Sequence, residues 1–340
     1  MSTSATHNRN LYVDIMRCIF CIWIVLMHGE SLYRDISLNK RIFEGGYLGV
    51  EFFFIVGGFY LLSDKNELNE IKKRGKILDV FNELKNFLVN RFRKLYPHFS
   101  LSILLVAAVG ESHSLIKILC NELGLQLVFI DKYINGVLWF VVSEIAVCAT
   151  LKFLNAFLKE TVWEKAYYVV IALISVGVLI VVYKNYTSFD LVSWQLGSFS
   201  YGSHLRALWC ISYGILMSKL FSIKRLSEFI EGKKIVFISL ILGITIATLA
   251  LQVRFPHKRF EVLWVLLWGL MVGISGCIEW HVFNFGFARY TYPVYVYQMV
   301  IISIWKREYS VFNCLVFLGA TILFGVVMEW VLVLFKKSFE

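Results

Sequence analysis

Long apolar blocks separated by short polar stretches run through the whole chain. Ala166 to Tyr183, Ile235 to Leu251, Val262 to Ile278 and Val311 to Phe335 each have the length of a transmembrane helix. More interrupted apolar blocks lie between and before them. Lys and Arg collect in the intervening stretches, and their bias sets orientation. Residues 64–94 hold nine Lys or Arg against five Asp or Glu, which makes this loop cytoplasmic and puts the N-terminus on the same side. A second basic loop runs from Lys219 to Lys234. Both loops face the cytoplasm only if Leu115 to Ile130 lies at the interface instead of crossing. Its Lys117, Asn121, Glu122 and Gln126 agree with that.

The pattern predicts an all-α fold, a polytopic transmembrane helical bundle of about ten spans with both termini cytoplasmic. The spans fall near 11–29, 45–63, 95–110, 137–153, 166–183, 205–218, 235–253, 261–279, 289–305 and 311–335. The outer loop from Arg254 to Arg259 runs against that polarity. Ile77, Phe81, Leu84, Leu88, Phe92 and Leu95 recur at helical spacing. They predict an amphipathic helix that lies on the inner surface and runs into the third span. No internal repeat is visible, so residues 1–340 read as one membrane domain with no appended soluble domain. The first apolar segment carries Asp14 and Arg17 and lacks a small-residue cleavage site, so it reads as a retained span and not as a secretory signal.

Composition agrees with this class. Apolar residues make up 58% of the chain and charged residues 17%, and the mean hydropathy is +0.67. A soluble domain of this size has no interior large enough for that much apolar surface. The net charge of +10 therefore belongs to loop polarity and does not imply a nucleic-acid partner. The seven cysteines are scattered, mostly in apolar segments. Cys18 and Cys21 form a C-x-x-C inside an apolar helix with no second pair, and read as small packing residues with no metal role.

The candidate chemistry begins on the first span. Asp14, Arg17 and His28 lie on one segment, and the eleven residues from Arg17 to His28 are about three turns, roughly 16 Å along the axis of a helix. Asp14 is three residues before Arg17, close enough to pair with it. Charges within a membrane segment are costly, so function is the default reading. A snorkelling Arg with an interfacial His accounts for the pair about as well. Arg91 and Lys94 lie one turn apart just before the third span. They read either as lipid-headgroup contacts or as a clamp for the phosphates of a soluble donor.

Four motifs in order resemble the acyltransferase family 3, bacterial membrane O-acyltransferases that modify surface glycans. They are Arg17-x10-His28 with the preceding Asp14; Gly49-Val-Glu51-Phe-Phe-Phe-Ile-Val-Gly-Gly58-Phe59; Arg91-x-x-Lys94-Leu-Tyr-Pro97; and Leu138-Trp139-Phe-Val-Val-Ser-Glu144. Late in the chain, Thr291-Tyr-Pro-Val-Tyr295-Val-Tyr-Gln298 is similar to the family's S-Y-x-I-Y-L-x-H. Three positions depart from the pattern. Lys94 stands for a second Arg and meets phosphate as a point charge instead of a planar fork. Gly57 stands where the family often has Ser. Gln298 replaces a His, which removes a titratable group and any catalytic assignment there.

The resemblance implies transfer of an acyl group, usually acetyl, from cytoplasmic acetyl-CoA to a sugar hydroxyl at or beyond the outer leaflet. It implies a multi-pass protein of the bacterial cytoplasmic (inner) membrane, with a glycan or lipid-linked sugar as acceptor. No resident metal and no nucleic acid are expected, and a homo-oligomer is left open. His28 is the general base, since its proton affinity suits the task. Asp14 and Arg17 hold the inner part of the channel. Glu51 orients His28 or meets acceptor hydroxyls. Arg91, Lys94 and Arg17 bind the CoA phosphates, and Trp139 and Glu144 open the fourth span on the acceptor side. Without the resemblance, Trp139 reads as an interfacial anchor, and so do the aromatic residues of 184–204. His98, His113, His204, His257 and His281 carry no assignment, nor do Glu261, Glu279 and Glu329. The rival reading is a transporter or flippase of a lipid-linked sugar, which uses the same cavity without acyl chemistry.

Overall fold

A computed structural model describes residues 10–29, 43–62, 77–110, 113–125, 133–159, 164–186, 195–196, 199–254, 260–280, 286–305 and 311–338. Residues 64–76, the 255–259 stretch with His257, residues 187–194 and 197–198 of the 184–204 loop, and His281 lie outside the described residues. Twelve helices of eight residues or more are described. They are α1 (Leu11–His28), α2 (Gly49–Leu61), α3 (Ile77–Val109), α4 (Leu115–Glu122), α5 (Trp139–Lys159) and α6 (Glu164–Tyr186). They continue with α7 (Tyr201–Phe221), α8 (Lys224–Gly232), α9 (Lys234–Arg254), α10 (Glu261–Gly276), α11 (Thr291–Ile304) and α12 (Val311–Lys337). Short 3-10 turns lead into α2, α5 and α11. Gln195–Leu196 and Phe199–Ser200 form a small antiparallel pair.

Four helical segments are long and apolar enough to cross a membrane: Leu11–His28, Gly136–Ala156, Lys234–Gln252 and Phe312–Lys337. Gly45–Leu61, Ala166–Val182 and Glu261–Gly276 are apolar but shorter. The polarity of the bundle is that of a membrane protein. Leu173 on α6, Ile246 on α9 and Leu323 on α12 are more than 60% exposed. The interior meanwhile holds Asp14, Glu51, Arg206 and Gln298. In water such apolar faces would be a liability; against hydrocarbon they are the matching surface.

Within Leu115–Ile130, α4 has eight residues, and residues 126–130 lie outside the described residues. Helix α4 exposes Leu115, Ile116 and Leu119, and Tyr96 Oη donates to Glu122 Oε2 at 3.2 Å to hold it on α3. The amphipathic segment and the third span form one helix, α3, of 33 residues with Pro97 inside it. Phe81, Leu88 and Phe92 are exposed along it, as an apolar face toward lipid requires.

Glycine sets the closest helix approach. A Cβ on Gly58 of α2 would fall 2.1 Å from the Ile211 carbonyl, and one on Gly214 of α7 would fall 2.2 Å from that of Ile55. Small residues at facing positions let two backbones touch, the usual way membrane helices associate. The α2–α7 contact brings Glu51 and Arg206 together.

Candidate functional site

Helices α1, α3 and α11 run in the same direction. Cys21 Sγ donates to the Thr291 carbonyl at 3.3 Å, and two turns further along both helices His28 Nδ1 meets Gln298 Oε1 at 3.1 Å. Tyr292 Oη donates to the Leu95 carbonyl at 3.0 Å, and His98 Nδ1 meets Tyr297 Oη at 3.1 Å. Helix α2 runs opposite to α1: Gly46, ahead of its start, lies against Trp23 and Met27, and Gly49 lies against Ile24 and Phe20. The motif residues therefore sort by depth along one axis.

Four of the motif charges gather round the C-terminal end of α2. Gly57 faces Glu144, whose Oε1 lies 3.0 Å from the position of a Cβ there. One turn on, Tyr60 neighbours Asp14 and Arg17 and bonds Asn10. Asn10 caps α1 by accepting from the Val13 amide at 3.2 Å, and donates to Ser275 Oγ at 2.9 Å. Asp14 is buried. The expected Asp14–Arg17 pair does not account for Arg17, whose Nε is buried with no hydrogen-bond partner. Glu144 lies against α3, where its Oε1 forms an ion pair with Arg91 Nη1 at 3.6 Å. Helix α5 starts beside Tyr295, whose Oη donates to the Val137 carbonyl at 2.9 Å. Glu144, more than a turn further in, thus falls at the level of the basic end of α3. Arg91 also lies over the Phe87 ring at 5.6 Å, and Lys94 is exposed.

Glu51 sits in the first turn of α2 and is fully buried. Its Oε1 accepts from Arg206 Nε and Nη2, each at 2.6 Å. Arg206 Nη2 also donates to the Tyr47 carbonyl at 3.1 Å. The guanidinium lies 5.0 Å from the Trp139 ring centre, a cation–π contact, and Tyr47 Oη donates to Glu261. Trp139 thus covers a buried cation, a role the motif alone did not reveal. Arg206 was missed because it stands alone in an apolar helix with no motif around it. A buried charge on a membrane helix was the available signal, and Glu261, left unassigned, belongs to the same cluster.

His28 ends α1, with Gly29 as its C-cap. Its partner, Gln298, is fully buried. His98, without an assignment from sequence, is the hub of another polar cluster. Its Nε2 meets Glu329 Oε2 at 2.8 Å while Nδ1 meets Tyr297 Oη. A carboxylate accepts from Nε2–H, which leaves Nδ1 to accept from the tyrosine. The cluster ties α3, α11 and α12 together.

The bundle thus combines one level holding Asp14, Arg17, Arg91 and Glu144, where Arg17 Nε is buried with no hydrogen-bond partner, and a histidine about three turns along α1. Chemically, a guanidinium can bind an anion and a histidine can accept a proton.

The chain matches three proteins of Staphylococcus aureus, strains COL, MSSA476 and MRSA252, each named "Putative O-acetyltransferase". Each is 24% identical over 196 residues, a stretch covering 56% of this chain and 28% of the relative. The chain therefore spans less than a third of the length of these relatives. No solved structure matches it. The family model described as "Acyltransferase domain" matches residues 10–335, nearly the full chain. By that match the chain belongs to the acyltransferase family 3.

Proposed function

We propose that this protein is a membrane O-acyltransferase that moves an acyl group, acetyl in the simplest case, from acyl-CoA to a hydroxyl of a cell-surface or lipid-linked glycan. The reading takes about ten spans, cytoplasmic termini and the bacterial inner membrane as its frame. The observation that carries it is the shared axis of α1, α3 and α11. It sets Arg17 and Arg91 at one end and His28 at the other. The Arg17 Nε, buried without a partner, suits an incoming phosphate oxygen.

His28 Nε2 takes the proton of the acceptor hydroxyl as its oxygen attacks the thioester carbonyl. The tetrahedral intermediate collapses, the C–S bond breaks, and His28 returns the proton to the departing sulfur. Ester and free CoA are the products. Arg91, Lys94 and Arg17 hold the donor's phosphates, with Asp14 beside Arg17. Glu51 acts through Arg206 as a positioning group that keeps Tyr47 and Trp139 in place.

The full chain in liposomes, supplied with labelled acetyl-CoA and glycan, should transfer label. His28→Ala should lose roughly 10²- to 10⁴-fold of the rate and keep acetyl-CoA binding. Undiminished turnover in that variant removes His28 from the mechanism. Movement of an unmodified lipid-linked sugar, with no acyl product, overturns the reading in favour of a transporter.

A further inference from the structure

We propose that Gln298 is the positioning residue that fixes His28 in its Nδ1–H tautomer and so leaves the Nε2 lone pair for the acceptor hydroxyl. The proposal rests on the reading of His28 as the general base.

The argument is one of donors and acceptors. A carboxamide has one end that donates and one that accepts. The Gln298 side chain touches the Tyr295 carbonyl at 2.7 Å, and a backbone carbonyl only accepts. The end facing it is therefore the NH2 group, which turns Oε1 toward His28 Nδ1 at 3.1 Å. An amide oxygen only accepts, so in the neutral ring Nδ1 carries the proton and Nε2 does not; the Ile24 backbone, one turn back on α1, is a second partner of the ring. The opposite tautomer would set two lone pairs against each other inside a buried contact.

The support beneath Gln298 is itself held from three sides. Tyr295 Oη donates to the Val137 carbonyl in the 3-10 turn before α5. Asn135, also fully buried, donates through Nδ2 to the Val296 carbonyl at 2.9 Å and to Ser102 Oγ at 3.0 Å, and its Oδ1 receives the Val137 amide at 3.3 Å. This joins α11, α3 and the entry to α5. The Cys21–Thr291 bond sets the register of α1 against α11 two turns away. The glutamine oxygen is therefore a fixed acceptor and not a mobile one. A position with no titratable group of its own thus governs the state of one that has.

The test compares kcat, KM for acetyl-CoA and acetyl-CoA binding in the full chain in liposomes for wild type, Gln298→Leu, Gln298→Asn and Gln298→Glu. Leu removes the acceptor at similar volume, and Asn withdraws it by one methylene. Both should lower kcat by roughly 10- to 100-fold, the usual scale for losing a group that orients a histidine, with KM and donor binding unchanged. Glu restores an acceptor facing Nδ1 and should retain more activity than Leu. A purely structural role gives the reverse order, because a buried carboxylate disrupts an apolar bundle more than leucine does. Wild-type kcat in both the Leu and Asn variants, or Glu falling below Leu, overturns the proposal. Those outcomes alongside an inactive His28→Ala would sink the role of Gln298 alone. An active His28→Ala would sink the underlying reading.

Discussion

Among the described residues, two guanidinium sites that touch carboxylates differ in nearly every physical respect. Arg206 is 1% exposed and Glu51 is not exposed at all. They meet at 2.6 Å, with a second acceptor at Tyr47 and a tryptophan over the cation. The Arg91 and Glu144 side chains are 31% and 13% exposed, and they meet at 3.6 Å through one nitrogen. The first pair is enclosed by α2, α5 and α7 and is committed to protein groups. The second lies at the end of the bundle where Arg17 holds a buried nitrogen without a partner. The lesson is that a charge in a membrane bundle marks function only after its partners are counted. At the enclosed site the cation has three protein partners while Glu51 Oε2 has none, and at the more exposed site the two charges meet through one nitrogen.

Three variants sharpen that contrast, in descending order of effect. Arg206→Met strands the Glu51 carboxylate in the core. It should cost about 3–5 kcal/mol, the usual penalty for breaking a buried pair, read as a fall in unfolding temperature and loss of monodisperse protein in detergent. Adding Glu51→Leu should recover most of it, and a double variant no better than the single would break the argument. Arg91→Met should leave unfolding temperature nearly unchanged while weakening acetyl-CoA binding roughly 10- to 100-fold, the scale of one or two charge-assisted hydrogen bonds. Unaltered binding by calorimetry would take Arg91 out of the donor site. Glu144→Gln has the smallest effect and the opposite sign. It frees Arg91 from a half-exposed ion pair worth under about 1 kcal/mol, so donor affinity should rise by up to about fivefold, and a fall would show that Glu144 supports the donor directly.

Much of the fold was legible in the chain. The apolar blocks coincide with helices, and the periodicity from Ile77 continues into α3. These features depend on hydropathy and local spacing, which a linear pattern carries in full. The site was legible in part. Arg17 and His28 mark one helix at two depths, and Arg91 joins the Arg17 end. The pairing of Glu144 with Arg91 was not legible, because it follows from how far α5 runs past Tyr295 before meeting α3, and no local spacing encodes that. Arg206, His98 and Gln298 were passed over for the same reason. Each takes its meaning from a partner on another helix: Arg206 and Glu51 are 155 residues apart, and His28 and Gln298 are 270 apart.

The sequence by itself determined that this is a helical membrane protein, which family it resembles, and that Asp14, Arg17 and His28 share its first helix. Only the tertiary structure decided which charges are spent on one another, that Glu144 meets Arg91, and that His28 meets Gln298. The physical reason is range. Hydropathy and helix periodicity act over a few residues, whereas the partner of a buried polar atom is set by which helices pack together and in what register.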